Sequence, residues 1–154
     1  MIRFEYGAGV IVFLVPKEHA EERRYLLLQN RTGWDFPKGH LNENEDEITA
    51  AFRELQEETG ITDIKLEEGF KYKLKLKAKS GGGDIIRKDV ILFLGSTATE
   101  RVALSDEHLD FAYLLHAEAL ERLKDKSKRA LQAAEKFLTT NVPLHPRTPH
   151  DEAF

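Results

Sequence analysis

A mixed α+β fold follows from three patterns in this 154-residue sequence. Val10 to Val15 is an unbroken apolar, β-branched run, the pattern of a buried strand. Ile48, Ala51, Phe52 and Leu55 fall at i, i+3, i+4 and i+7, which predicts an amphipathic helix over about 46–59. Tyr72, Leu74, Leu76 and Ala78 alternate with Lys71, Lys73, Lys75, Lys77 and Lys79, which is strand periodicity with one lysine face. Strands and helices are interspersed, and the length suits a single domain over 1–154.

Taken in order, Tyr25 to Leu28 reads as a second short strand, joined to the first by a polar connection from Lys17 to Arg24. Gly33 and Pro37 bracket Trp34-Asp35-Phe36, a loop or strand end. The central helix carries its own boundary signals. Glu43, Glu45, Asp46 and Glu47 crowd its positive end, and Gly60 stands where a helix C-terminus favours glycine. Gly81-Gly82-Gly83-Asp84 is a flexible turn before the apolar run Val90 to Leu94, so the lysine-faced strand and this run are expected to form a hairpin. From about Ala117 to Leu138 the pattern is helical, with Leu120, Leu123, Leu131, Ala134 and Phe137 facing inward. The tail, with Pro143, Pro146 and Pro149, cannot continue that helix.

Composition removes several function classes. The absence of cysteine excludes disulfides, a thiolate zinc site and a cysteine nucleophile. A net charge of -4, from 27 acids against 23 bases, argues against general nucleic-acid binding, so no stable nucleic-acid complex is expected. No apolar run approaches the roughly 18 residues of a membrane span, and the N-terminus lacks a signal-peptide core. A cytoplasmic protein is expected, with its oligomeric state left open.

The chemistry concentrates in Arg53-Glu54-Leu55-Gln56-Glu57-Glu58. Glu54, Glu57 and Glu58 stand at i, i+3 and i+4 and share one helix face, expected to lie beside the apolar stripe rather than within it. Three carboxylates so close repel one another, and a hard divalent cation with oxygen ligands offsets that repulsion well. An acidic helix face is by itself usually just solvated. The surrounding pattern changes the reading. Gly39, Glu45, Arg53, Glu54, Leu55, Glu57, Glu58, Gly60 and Ile61 fall at G-x5-E-x7-R-E-U-x-E-E-x-G-U, where U is a bulky aliphatic residue.

That string resembles the Nudix box, over residues 39–61, with every defining position filled. The resemblance implies an α/β/α sandwich around a mixed sheet, and a loop-helix-loop that holds magnesium, or alternatively manganese, against a diphosphate. It makes Glu54, Glu57 and Glu58 metal ligands, has Arg53 orient a glutamate, has Glu45 hold the loop, and lets the backbone at Gly39 approach the metal. Metal-activated water needs no nucleophilic side chain, which agrees with a chain lacking cysteine.

Segments outside the box bear on the substrate. Trp34-Asp35-Phe36-Pro37-Lys38-Gly39-His40 resembles the W-x-x-P-K-G-H segment of asymmetric dinucleoside polyphosphate hydrolases and their relatives. Lys38 and His40 are then candidates to contact phosphate, while Trp34 is read as core. Ser105-Asp106-Glu107-His108, with Tyr113 beyond, resembles the S-x-E-H-x4-W/Y segment of the same group and makes Glu107 a further metal ligand or the general base. Lys88, in a segment similar to K-x-V-x-x-F, is a candidate for a distal phosphate. Tyr113 and Tyr72 are candidate substrate contacts, with core packing the open alternative for Tyr72. The lysine face is read as solvated.

The expected activity is hydrolysis of a nucleoside polyphosphate, with diadenosine tetraphosphate split to ATP and AMP as the leading case. RNA 5′-pyrophosphohydrolysis and diphosphoinositol polyphosphate cleavage are the alternatives. A rival of another class is a non-catalytic nucleotide sensor, in which a box glutamate is commonly lost; here all three stand.

Overall fold

The computed structural model describes residues 1–15 and 22–141. Its elements run β1 (Ile2–Leu14), β2 (Arg24–Asn30), β3 (Gly33–Asp35), β4 (Lys38–His40), α1 (Glu47–Thr59), β5 (Lys65–Leu66), β6 (Tyr72–Lys79), β7 (Ile85–Thr97), β8 (Asp110–Leu114), α2 (His116–Arg122) and α3 (Asp125–Asn141). The proline-rich tail from 143 onward and residues 17–21 of the polar connection lie outside the described residues.

The strands form one mixed sheet. β1 and β7 make its centre, parallel from Ile2↔Ile85 to Leu14↔Thr97, and every other pairing is antiparallel. The expected hairpin is present, with Tyr72↔Leu92 through Lys79↔Ile85. Helices cover both faces, and that is why the central strands read as continuous apolar runs rather than alternating ones. Ala8, Val10, Val12, Leu26, Leu28, Ile91 and Phe93 pack with α1. Ile11, Phe13, Tyr25, Leu27, Val90, Leu92 and Leu94 pack with α2 and α3 on the other face. The architecture is an α/β/α sandwich around a mixed sheet, as the sequence resemblance implied.

Three details differ from the sequence expectation. β1 starts at Ile2, well before Val10, because β7 supplies a parallel partner along its whole length. On α1, Phe52 is largely exposed while Ala50 is completely buried. The helix rests on Ala50, Ala51 and Leu55, whose two methyl side chains let its backbone approach the sheet closely. The expected helix over 117–138 is two helices. Leu123 adopts an extended conformation (φ -83°, ψ 152°) that ends α2 and buries its side chain. Trp34 is half-buried against the core, with the Arg122 guanidinium stacked 4.7 Å from its ring centre.

The ends of α1 are firmly set. The Asp46 carboxylate accepts the Thr49 N–H at 2.8 Å, an N-cap that lowers its own pKa. Gly60 is left-handed (φ 77°) and returns its N–H to the Gln56 carbonyl. Gly60→Ala is therefore expected to cost about 1 kcal/mol in urea denaturation, because a Cβ disfavours this conformation.

Candidate active site

β4 is pressed between β1 and α1, and glycines make that possible. A Cβ at Gly9 would lie 2.4 Å from the Pro37 carbonyl oxygen, and one at Gly7 2.7 Å from that of Gly39. With neither present, Lys38–His40 pairs against Gly7–Gly9, and Gly39 faces the α1 carboxylates. A Cβ on Gly39 would sit 2.1 Å from the Glu54 carboxyl carbon.

The three glutamates of α1 occupy different environments. Glu57 is largely exposed and Glu54 partly covered, with Arg53 N–H groups donating to Glu54 at 3.0 Å and to Glu57 at 3.2 Å. Glu58 is only 5% exposed. It continues the Ala51–Leu55 stripe, so this carboxylate lies within the buried face and not beside it, a correction to the sequence reading. It accepts the Lys38 N–H at 3.0 Å, and His108 Nε2 lies 3.9 Å away. Burial pushes the Glu58 pKa up to about 8, with Glu54 and Glu107 adding to the rise against the Lys38 N–H and ammonium.

Arg53 ties the surrounding loop together. It donates to both Glu45 oxygens, at 2.7 and 2.9 Å, and to the His40 carbonyl at 2.9 Å. Glu45 in turn accepts the Asn42 N–H at 2.9 Å. One planar guanidinium thus joins the β4 end, the 41–45 loop and α1.

These elements enclose a cleft of about 370 Å³. Lys38, Gly39 and His40 line it from β4, Glu54, Glu57 and Glu58 from α1, Lys88 from β7 and Glu107 from the loop before β8. Residues distant in sequence are thereby gathered around one space, although His40 also pairs with Glu5 at 3.4 Å and Lys38 with Asp35 at 3.5 Å. Tyr72 and Tyr113 do not line the cleft. Tyr72 packs against the α3-side core. The Tyr113 hydroxyl donates to the Thr99 carbonyl at 2.6 Å, and burial raises its pKa. Both rings stand in strands whose alternation points them into packed layers, which their residue type did not reveal.

Two lining residues, Asn42 and Ser105, escaped the sequence reading. Ser105 flanks Glu107, and its hydroxyl is 3.1 Å from His108 Nδ1. Burial holds His108 below its ordinary pKa despite the neighbouring Glu107. Only the leading serine of the S-x-E-H segment hinted at this role.

The residues fit a divalent cation. Burial, with two neighbouring carboxylates adding to it, raises the Glu58 pKa, and the Gly39 backbone leaves room beside Glu54 that a side chain would fill. Among the described residues, no three acids or histidines already close into a ligand cluster. They line a cleft that a cation and an anionic substrate can complete together.

The comparisons with known proteins decide the family. The NUDIX domain model matches residues 5–136. The chain belongs to the Nudix family. It is a Nudix pyrophosphohydrolase, and Nudix hydrolases generally use a divalent metal. Over 143 residues it is 34% identical to the asymmetrical bis(5′-nucleosyl)-tetraphosphatase of Mus musculus, covering 86% of this chain and 94% of that protein. It is 47% identical to an RNA pyrophosphohydrolase of Haemophilus ducreyi over 49 residues, covering 30% of this chain and 25% of that protein. A Caenorhabditis elegans Ap4A hydrolase, solved as a binary complex, superimposes with a TM-score of 0.76 at 26% identity, covering 88% of this chain and 98% of that one. No helix among the described residues is long and apolar enough to cross a membrane.

In this Nudix enzyme, Arg53→Lys is expected to lower turnover roughly 10- to 100-fold, the usual effect of losing a group that orients metal ligands. Lysine keeps the charge but cannot donate to both Glu45 oxygens and the His40 carbonyl. Turnover measured beside a thermal melt separates this from unfolding.

Proposed function

We propose that this enzyme hydrolyses diadenosine tetraphosphate asymmetrically, to ATP and AMP, with magnesium as its ordinary metal and manganese as a substitute. The observation that carries the reading is the cleft lined by Lys38, His40 and Lys88 together with Glu54, Glu57, Glu58 and Glu107. The lysines suit a polyphosphate, and the carboxylates suit a metal that shields it.

Glu54, Glu57 and Glu58 would hold the metal, with Glu107 completing the set or taking the water proton. Bound there, a divalent ion neutralises phosphate charge and lowers the pKa of water. Lys38 and Lys88 bind and orient the phosphate chain, with His40 beside them. Arg53 positions the ligands by holding Glu54, Glu57 and Glu45 in one network. His108, close to Glu58 and flanked by Glu107, is placed to keep those carboxylates in register. Phosphoryl transfer asks a protein mainly for such positioning and electrostatics.

The breadth of likeness supports the substrate. Similarity to the mouse tetraphosphatase runs through most of both chains, whereas similarity to the RNA pyrophosphohydrolase is confined to a short segment. Incubation with diadenosine tetraphosphate and magnesium in heavy-oxygen water, followed by mass spectrometry, tests the proposal. ATP and AMP are expected, and the labelled product identifies the attacked phosphorus. Two molecules of ADP would overturn the asymmetric reaction. An absence of turnover by folded, metal-bound protein would shift the substrate to a 5′-triphosphorylated RNA or a diphosphoinositol polyphosphate.

A further inference from the structure

The lysine face of β6 continues inward across the sheet. Lys75 stands opposite Asp89 and Lys77 opposite Arg87 on β7. On β1, Tyr6 is the partner of Asp89, and Phe4 that of Arg87. Directly paired residues share a face, so these six side chains form two adjacent rows across three strands. Ala8 and Val10 continue that face of β1 and are packed with α1. Phe4, nearer the start of the strand, is 59% exposed. Lys88 stands between Arg87 and Asp89, so the pleat turns it to the opposite face, and it lines the cleft instead.

A hollow of about 330 Å³ opens on the two rows. Phe4, Lys75, Lys77, Arg87 and Asp89 line it, with Lys126 entering from α3, and none of them lines the cleft. The Lys126 ammonium donates to the Lys75 carbonyl, which holds a fourth cation at the rim. Four cations thus surround one acid. Among the described residues, none of Lys75, Lys77, Arg87 and Asp89 closes an ion pair.

Edge protection does not account for this arrangement. Lysines on an outermost strand discourage pairing with other chains, but β7 is an inner strand, with β1 on one side and β6 on the other. Arg87 directly opposite Lys77 is destabilising, because like charges in that position repel. A bound anion offsets the repulsion through charge-assisted hydrogen bonds. The other end of the row narrows the choice of anion. The Phe4 ring stands two strand spacings from Lys77, roughly 10 Å. An exposed aromatic face beside a group of cations suits a ligand with a flat base at one end and phosphates at the other. Asp89, free of ion pairs, lies in the next row and offers acceptor oxygens to hydroxyl groups.

We propose that this hollow is a second binding site, specific for a nucleoside polyphosphate. Phe4 carries the base, Asp89 accepts from the sugar hydroxyls, and Lys75, Lys77, Arg87 and Lys126 hold the phosphates. The site is separate from the cleft and does not depend on which diphosphate the cleft hydrolyses.

The test is calorimetric titration of the full chain with ATP at low salt, in a chelator that keeps metal out of the cleft, with a thermal melt for each variant. The wild type is expected to bind with a Kd on the order of 100 μM, weakening as salt is added. Arg87→Glu should weaken binding about tenfold or more and yet leave the melting temperature unchanged or higher, since glutamate opposite Lys77 replaces a repulsion with an attraction. Phe4→Ala should weaken ATP about fivefold while leaving the affinity for inorganic triphosphate unchanged. Lys88→Ala should leave ATP binding as it was, because Lys88 belongs to the cleft. A wild type that binds no ATP overturns the proposal. So does binding that Lys88→Ala removes and Arg87→Glu does not, which would place the nucleotide in the cleft. Inorganic triphosphate binding the wild type as tightly as ATP overturns the assignment to a nucleotide, by showing that charge alone is recognised.

Discussion

Glu58→Gln is expected to lower turnover on the order of 10³-fold, about 4 kcal/mol of barrier, and yet to stabilise the protein at pH 8 when metal is withheld. The two effects share one cause. Glu58 is buried beside Glu54 and Glu107, and its pKa stands near 8 in the fold against 4.5 for the free side chain. Between those values the unfolded chain has lost the proton that the folded chain keeps, so the native state binds more protons and stability falls as pH rises. Above the folded value, the full penalty of a buried, crowded carboxylate is present. Glutamine removes that penalty while its carbonyl still accepts the Lys38 N–H. In a chelator, denaturant titrations should show a gain of about 4 kcal/mol at pH 8, shrinking to nothing near pH 4.5. Added divalent metal should reverse the order, stabilising the wild type and not the variant. Equal stability of the two proteins at pH 8 in chelator would remove the buried-charge penalty, and undiminished turnover, or metal that stabilises both proteins alike, would remove Glu58 from the metal site.

Gly39→Ala is expected to cost two or three orders of magnitude in turnover, with a melting temperature close to that of the wild type. The added methyl would meet the Glu54 carboxyl group, with contacts between 2.1 and 2.4 Å. That group ends a flexible side chain on the rim of a cleft, so it can swing aside without disturbing the core. Moving it, however, displaces a carboxylate that lines the cleft and breaks its Arg53 hydrogen bond. Gly9→Ala is the instructive contrast. There the methyl would meet the Pro37 backbone oxygen at 2.4 Å and Lys38 at 2.5 Å, and a strand cannot step aside cheaply. Destabilisation of about 2 kcal/mol is expected, with β4 displaced from β1. A stable but inactive Gly39→Ala beside an unstable Gly9→Ala would assign the first glycine to the site and the second to the fold. Normal turnover by Gly39→Ala would refute the close packing of Gly39 against Glu54.

Local patterns carried much of this structure. The limits of α1 were readable because Asp46 and Gly60 act within a single helical turn. The β6–β7 hairpin was readable because alternation and a glycine turn are both short-range signals. The candidate ligand glutamates were readable because their spacing brings them to neighbouring positions on one helix. Other features depended on what each element meets. No glycine or proline marks the break between α2 and α3; it arises where Leu123 turns inward to pack. Aromatic residue type alone could not separate a stacking ring from a core ring, and Tyr72 and Tyr113 lie in packed layers.

The box spacing, read without any structure, pointed to the chemistry: glutamates, an arginine and two glycines at intervals that resemble the Nudix box. Its reach ended with the segment, because helical periodicity places residues relative to one another and not relative to the rest of the molecule. The distribution of labour within that site came from packing. α1 rests on the sheet through small side chains, so Glu58 is drawn into the buried layer while Glu57 stays in solvent. The parallel pairing of β1 with β7 brings Lys88 to the cleft, and the loop before β8 brings Glu107. Among the described residues, the same extension of β1 leaves Ile2–Glu5 without a strand on its outer side. Burial and long-range strand pairing depend on every layer at once, which is why no local segment could reveal them.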